Sequence, residues 1–265
     1  MLFFYNSQYY TLWQLLIKSF IVTTPGLKDK LINYILWSAL NIVVSTYVMT
    51  SLGIYKNFGQ FIVATMPLSC AFYTSINCIY GFLTDISNDG SNLQYELTLP
   101  LQPWLVFAKY ALENTYQSIC VSILILPIGR LLLGNQFSWY YFSFIKFYFL
   151  IIVTSIFFGF FSIFIASITT DMYAGLDKIW SRIIFPMWFL GGFQFSWKTL
   201  YNISPTLAYI NLFNPVTYAL EGGRSAVLDP ALSLPYWYCV AALFVFAIIF
   251  GYAAIKNLKK RLDCL

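Results

Sequence analysis

From Phe58 to Thr84 the chain runs 27 residues without one charged side chain. Nothing else in the sequence restricts the fold as strongly. A helix needs about twenty predominantly apolar residues to cross a bilayer's hydrocarbon, and in lipid only helices and closed barrels satisfy their own backbone. The pattern recurs: stretches at about 31–52, 61–83, 107–129, 145–168 and 234–255 qualify as spans. A sixth, about 178–195, is interrupted by Pro186 and Gly191-Gly192. Only 9% of the 265 residues are charged, against about 25% in soluble domains. The expected fold is therefore an all-α integral membrane protein, one domain with six transmembrane helices.

The N-terminal stretch is apolar in a different way. Thr11, Gln14 and Lys18 recur at helical spacing and form one polar stripe, with Leu12, Trp13, Leu15, Leu16, Ile17 and Phe20 on the other faces. This predicts an amphipathic helix over about 9–22 lying in the membrane interface, ended by Thr23-Thr24-Pro25-Gly26. Between the fifth and sixth spans, Ser204-Pro205, Asn214-Pro215 and Gly222-Gly223 punctuate apolar pieces, Thr206–Phe213 and Val216–Leu220. Those are too short to span and predict re-entrant or interfacial half-helices.

Lysine and arginine set the orientation. With six spans, ten basic residues, including Lys18, Lys28, Lys30, Lys109, Lys178 and Lys256 to Arg261, fall on the side of the termini. Five, Lys56, Arg130, Lys146, Lys198 and Arg224, fall on the other. Both termini are expected in the cytoplasm.

Missing chemistry narrows the function. Histidine is absent, which removes a His-Glu-x-x-His metal site and a Ser-His-Asp triad. No glycine is followed by lysine, so there is no phosphate-binding loop of the Gly-x-x-x-x-Gly-Lys kind. The five cysteines, Cys70, Cys78, Cys120, Cys239 and Cys264, have no metal-site or disulfide spacing and are expected to pack. No carboxylate pair falls within a span. Hydrolysis, redox work and nucleic-acid binding are not indicated, so if the protein moves cargo its energy must come from elsewhere.

Three polar constellations remain. Asp85–Gln94 has the Asp, Asn, Ser and Gly of an exposed, turn-forming loop. Tyr95–Leu101 follows as a short amphipathic piece, either a peg for a soluble partner or a simple helix entry, and Pro103 is placed to start the third span. Lys109 and Glu113 stand four apart, as a snorkelling interface pair or a functional one. Glu221 and Arg224, three apart in a helix, can pair at depth, where ionisable groups are costly and point either to function or to a structural clasp.

In this order, these parts resemble the membrane subunits of type-2 ABC exporters, the permeases of polysaccharide, lipid and drug exporters. The matching stretches are Glu96-Leu-Thr-Leu-Pro-Leu-Gln-Pro-Trp-Leu-Val-Phe-Ala-Lys109, Phe185-Pro-Met-Trp-Phe-Leu-Gly-Gly-Phe-Gln-Phe195 and Asn211-Leu-Phe-Asn-Pro-Val-Thr-Tyr-Ala-Leu-Glu-Gly-Gly-Arg224. One departure is plain: Ser91-Asn-Leu-Gln94 stands where members often carry basic residues and Gly-Thr. The resemblance implies that Glu96, Leu97, Thr98, Leu99, Pro100 and Leu101 couple the permease to a separate ATPase subunit. ATP and Mg then belong to that partner, with no cofactor on this chain. It also implies two permease copies per assembly, the interfacial helix as a lever, and an outer exit gate around Pro215, Glu221 and Arg224. Trp188, Phe193, Phe195, Trp197, Tyr201, Tyr209 and Tyr218 gather toward the outer half as a substrate path. They suit a lipid-linked polysaccharide first, and a lipid or drug also. The expected location is the bacterial cytoplasmic membrane. An ATP-independent transporter and a non-transporting membrane scaffold are the rival classes.

Overall fold

The structure is a computed structural model that describes residues 2–53, 58–87, 92–169 and 177–262. The expectations for the loop at 88–91, for Lys56 and for Cys264 lie outside the described residues. Ten helices carry the architecture: α1 (Leu2–Val43), α2 (Phe58–Ser87), α3 (Asn92–Thr98), α4 (Pro103–Leu133), α5 (Phe144–Ile168) and α6 (177–190), then α7 (Trp197–Ile203), α8 (Pro205–Asn211), α9 (Pro215–Val227) and α10 (Tyr236–Leu262). Five of them hold stretches long and apolar enough to cross a membrane: Gln8–Ser51, Phe58–Ile86, Pro103–Leu133, Phe144–Ile168 and Tyr236–Lys260.

Helix α5 is the hub, packed chiefly on α10 and α4 and then on α2. Its Phe157, Phe158 and Phe161 are fully buried, and Phe157 and Phe161 meet Phe250 of α10 with ring centres 5.9 and 5.8 Å apart. Helix α2 is the most enclosed span and α1 the least. In α2, Thr65, Ser69, Thr74 and Ser75 return their hydroxyls to the carbonyls of the preceding turn. Buried hydroxyls are thereby satisfied without polar partners on other helices, which suits a helix closed in on all sides.

Two expectations are corrected. The interfacial helix and the first span are one element, because α1 runs without a break through Pro25. The local stop signal is outweighed by contacts with α4. Thr23 donates to Glu113 at 2.8 Å, Lys30 donates to Gln117 at 2.6 Å, and the Phe20 ring sits 4.7 Å from Tyr116. A proline costs the helix one backbone bond and a ring clash; three side-chain contacts on either side hold the turn in place. Beyond Val43 the helix continues as a π-turn over Val44–Val48 and a last turn over Met49–Ser51.

The second correction concerns 178–195. The described helix α6 is 14 residues, about 20 Å at 1.5 Å per residue, and it stops at Gly191-Gly192. Gly192 takes φ +84°, a left-handed conformation that side-chain-bearing residues disfavour. Asn214 donates to the Met187 carbonyl at 2.8 Å, so that helix end is capped from α9 rather than continued.

Helices α7 and α8 form a small hairpin that leaves Ile203, Leu207, Tyr209, Ile210 and Phe213 exposed. Helix α9 is the opposite case: all thirteen of its residues are buried, between α10, α2 and α5. Its Gly223 is required by close approach, since a Cβ there would stand 2.4 Å from Leu68 Cδ1 and 2.7 Å from the Ala64 carbonyl.

Candidate functional site

The ion pairs among the described residues fall into two clusters, one about Lys109 and one about Arg224. At the first, α3 is bounded downstream by Pro100, and Pro103 opens α4 after an extended Gln102. Asn92–Gln94, expected as exposed loop, is already helical. Within α3, Leu93 and Glu96 turn inward and are each 2% exposed, while Tyr95 is exposed. Leu101 is also buried, Leu97 and Leu99 are half-buried, and Thr98 and Pro100 face outward.

Both carboxylate oxygens of Glu96 accept from Lys109 Nζ, at 2.9 and 2.8 Å. Glu113 lies farther from the same ammonium, at 3.8 Å, and is engaged by Thr23 of α1. The ammonium also sits 3.7 Å from the centre of the Tyr110 ring, whose hydroxyl donates to Asp85 at 2.8 Å. The i,i+4 pair expected from the sequence is therefore the minor contact, and Lys109 is buried rather than snorkelling. The network ties α1, the end of α2, α3 and α4 together. Two charges buried 13 residues apart form a strong mechanical link, because removing either partner leaves the other uncompensated at about 3–5 kcal/mol.

At the second, Asn214 caps α9 by accepting from Val216 N at 3.0 Å, and Pro215 supplies the first helical residue. About two turns on stands Glu221, with Arg224 three residues further, exposed by 0% and 1%. Arg224 Nη1 donates to Glu221 at 2.7 Å. The same carboxylate accepts the backbone N–H of Trp197 at 2.9 Å and of Leu234 at 3.1 Å. Arg224 Nη2 donates to the Gly192 carbonyl and to that of Phe193 at 3.3 Å, and the guanidinium lies 4.0 Å from the Phe61 ring centre. The pairing expected from the sequence is present, and it does more than join two half-helices. It clasps the α6–α7 turn, the strand of chain before α10, and the start of α2 onto α9.

The aromatic candidates do not share one path. Trp188 is wedged among Trp37, Phe72, Tyr73 and Phe193. Phe193 is buried beneath it. Tyr218 is buried in α9 and donates to the Leu212 carbonyl at 2.8 Å. Trp197, Tyr201 and Tyr209 form a surface cluster on the α7–α8 hairpin, where Trp197 Nε1 donates to the Ala208 carbonyl at 2.8 Å. Phe195 alone of the set lines the cavity of about 750 Å³ that opens beside Arg224.

The sequence reading missed the Glu96–Lys109 bond. Its signal was a lysine one turn and a half inside a span, which demands a counter-charge; the nearest in sequence, Glu113, is present as a partner but at the longer distance of 3.8 Å.

The sequence model of the family described as ABC-2 type transporter matches residues 7–228, which is 222 of the 265 residues. No curated protein and no solved structure is similar enough to match the chain. The match runs from the first turns of α1 to the end of α9, and so takes in both polar clusters and the helices that carry them. The chain is an integral membrane protein that belongs to the ABC-2 type transporter family, as the permease component of a transporter.

Proposed function

We propose that this permease is the membrane subunit of an ATP-driven exporter that moves an amphipathic substrate, a lipid-linked polysaccharide before a lipid or a drug. Energy comes from a separate ATPase subunit that binds ATP and Mg and docks on α3. The observation that carries the reading is the buried Glu96–Lys109 pair, with its 2.8 Å contact. It fastens a seven-residue helix with an exposed outer face to a 31-residue span. A surface peg so fastened passes a push from a soluble partner into the bundle, where a loosely tethered loop would yield. In this reading Tyr95, Thr98 and Pro100 meet the ATPase, while Glu96, Leu93 and Leu101 anchor the element.

Two copies of the permease pair with two ATPases in the bacterial cytoplasmic membrane, with both termini in the cytoplasm. Helix α6 belongs to the fifth of six spans, and α7 to α9 dip into the outer leaflet as an exit gate clasped by Glu221 and Arg224. The test is co-purification from the native membrane with a C-terminal tag, with and without Glu96–Leu101 replaced by a Gly/Ser stretch. Recovery of an ATP-hydrolysing subunit that is lost on replacement is the expected result. A preparation without such a subunit, under conditions that hold other membrane complexes together, refutes it.

A further inference from the structure

The cavity beside the Glu221–Arg224 clasp has the make-up of a ligand site. Its volume of about 750 Å³ falls within the range of about 300–1,000 Å³ typical of small-molecule pockets. Three features of its wall define what it accepts. The first is unspent hydrogen-bonding capacity. Ser233 is 4% exposed and its hydroxyl has no partner among the described residues, and the same holds for Arg224 Nε. The amides of Gln194 and Asn202 also line the cavity and make no hydrogen bond among the described residues. The buried Ser233 hydroxyl and Arg224 Nε are costly to leave unpaired, and the exposed Gln194 and Asn202 amides are free to exchange water for a ligand, so a ligand with both donors and acceptors is favoured over an apolar one.

The second feature is charge. Arg224 is already paired with Glu221 at 2.7 Å. Of the other charged residues on the wall, Lys198 donates to the Ala231 carbonyl and Asp229 accepts from Ala231 N, so one cation and one anion each bond the same residue without an ion pair between them among the described residues. Counted with Glu221, these charges sum to zero, so the wall offers no net positive charge to a phosphate or a carboxylate, which bind where positive charge is in excess. The third is aromatic surface: Phe58, Phe61, Tyr141 and Phe195 face the same space. Flat apolar faces beside amides and hydroxyls fit a molecule that alternates C–H patches with hydroxyl groups.

We propose that this cavity binds a short neutral oligosaccharide, through the Gln194 and Asn202 amides, the Ser233 hydroxyl and Arg224 Nε, with the aromatic walls against the sugar rings. The biological sense of the site rests on the exporter reading above, as the place where glycan is held near the gate. The binding itself can be tested apart from it.

The experiment is saturation-transfer NMR on the full chain in nanodiscs of phosphatidylcholine and phosphatidylglycerol, which contain no sugar headgroup. The probes are neutral di- and trisaccharides of glucose, galactose and mannose, the corresponding alkyl glycosides, and inorganic phosphate read by phosphorus line width. Transfer to sugar ring protons is expected, with affinity weakened roughly tenfold in Gln194→Leu/Asn202→Leu, as expected for losing two ordinary hydrogen bonds. Both side chains are exposed, so the fold is expected to survive; Asn202→Trp, which fills the space, gives a second and larger loss. Several results overturn the proposal: no transfer from any neutral sugar, transfer unchanged in both variants, binding confined to the alkyl glycosides, or phosphate binding with loss in the same variants. Sugar binding in a protein that recovers no ATPase would leave this site standing and remove the exporter reading. An ATPase recovered without sugar binding would do the reverse.

Discussion

Replacing Glu221 by glutamine keeps the shape of the side chain and removes only its charge and one acceptor. In the native clasp Oε1 accepts from Trp197 N and from Arg224 Nη1, and Oε2 accepts from Leu234 N. The best glutamine orientation puts its carbonyl where Oε1 was and turns its NH₂ toward the Leu234 N–H, donor against donor. Arg224, 1% exposed, then loses its counter-charge but keeps the carbonyls of Gly192 and Phe193 and the face of Phe61. Those partial compensations place the loss at the low end of the range for a broken buried pair, about 3 kcal/mol. Unfolding of the purified chain in mixed micelles of a mild detergent and sodium dodecyl sulfate measures it. Glu221→Gln combined with Arg224→Met should cost less than the two single changes added, with a coupling of about 1–3 kcal/mol. A glutamine variant within about 0.5 kcal/mol of the native protein, or strict additivity of the pair, would refute the argument that the clasp depends on charge.

The other cluster makes a parallel prediction. Lys109→Met strands the buried Glu96, so α3 should come loose and proteolysis within 92–101 should accelerate, while the exchanged pair Glu96→Lys/Lys109→Glu restores protection. Gly159→Ala in α5 places a Cβ 2.3 Å from Thr115 Oγ1 and 2.5 Å from the Ala111 carbonyl of α4. It should destabilise by about 1–3 kcal/mol in the same micelle assay. Trp197→Phe removes the 2.8 Å bond to the Ala208 carbonyl at a cost of about 1 kcal/mol. Increased protease cutting between α7 and α8 reports it.

How much of this was legible in the sequence depends on the range of the physics involved. Stretches expected at 61–83, 107–129, 145–168 and 234–255 correspond to α2, α4, α5 and α10, because burial in lipid demands an apolar run that needs no knowledge of neighbours. Pro103 starting α4 and Asn214-Pro215 starting α9 were equally local. Pro25-Gly26 misled for the opposite reason: the helix survives there through side chains about 90 positions away on α4, such as Glu113 for Thr23. Glu221 and Arg224, three apart on one helix, were visible as a pair, but their backbone partners at Gly192, Trp197 and Leu234 were not. Glu96 was visible as a residue of the loop motif, but its inward turn was not, since that depends on Lys109 across two prolines. The aromatic set lies in several surroundings, because a residue's type says nothing about whether it packs inward, as Trp188 does, or lines a cavity, as Phe195 does.

The unbroken α1 carries a consequence for the surrounding lipid. Forty-two residues of helix reach about 63 Å at 1.5 Å per residue, roughly twice the thickness of a bilayer's hydrocarbon. Thr23 and Lys30, bonded to α4, fix the midpoint of that rod to the bundle. What lies on either side of the midpoint must then be accommodated by tilt or by local deformation of the leaflets. A change in acyl-chain length alters the strain on α1 at its attachment to α4, and α4 also carries Lys109. The protein is therefore built so that membrane thickness acts on the same helix that anchors α3.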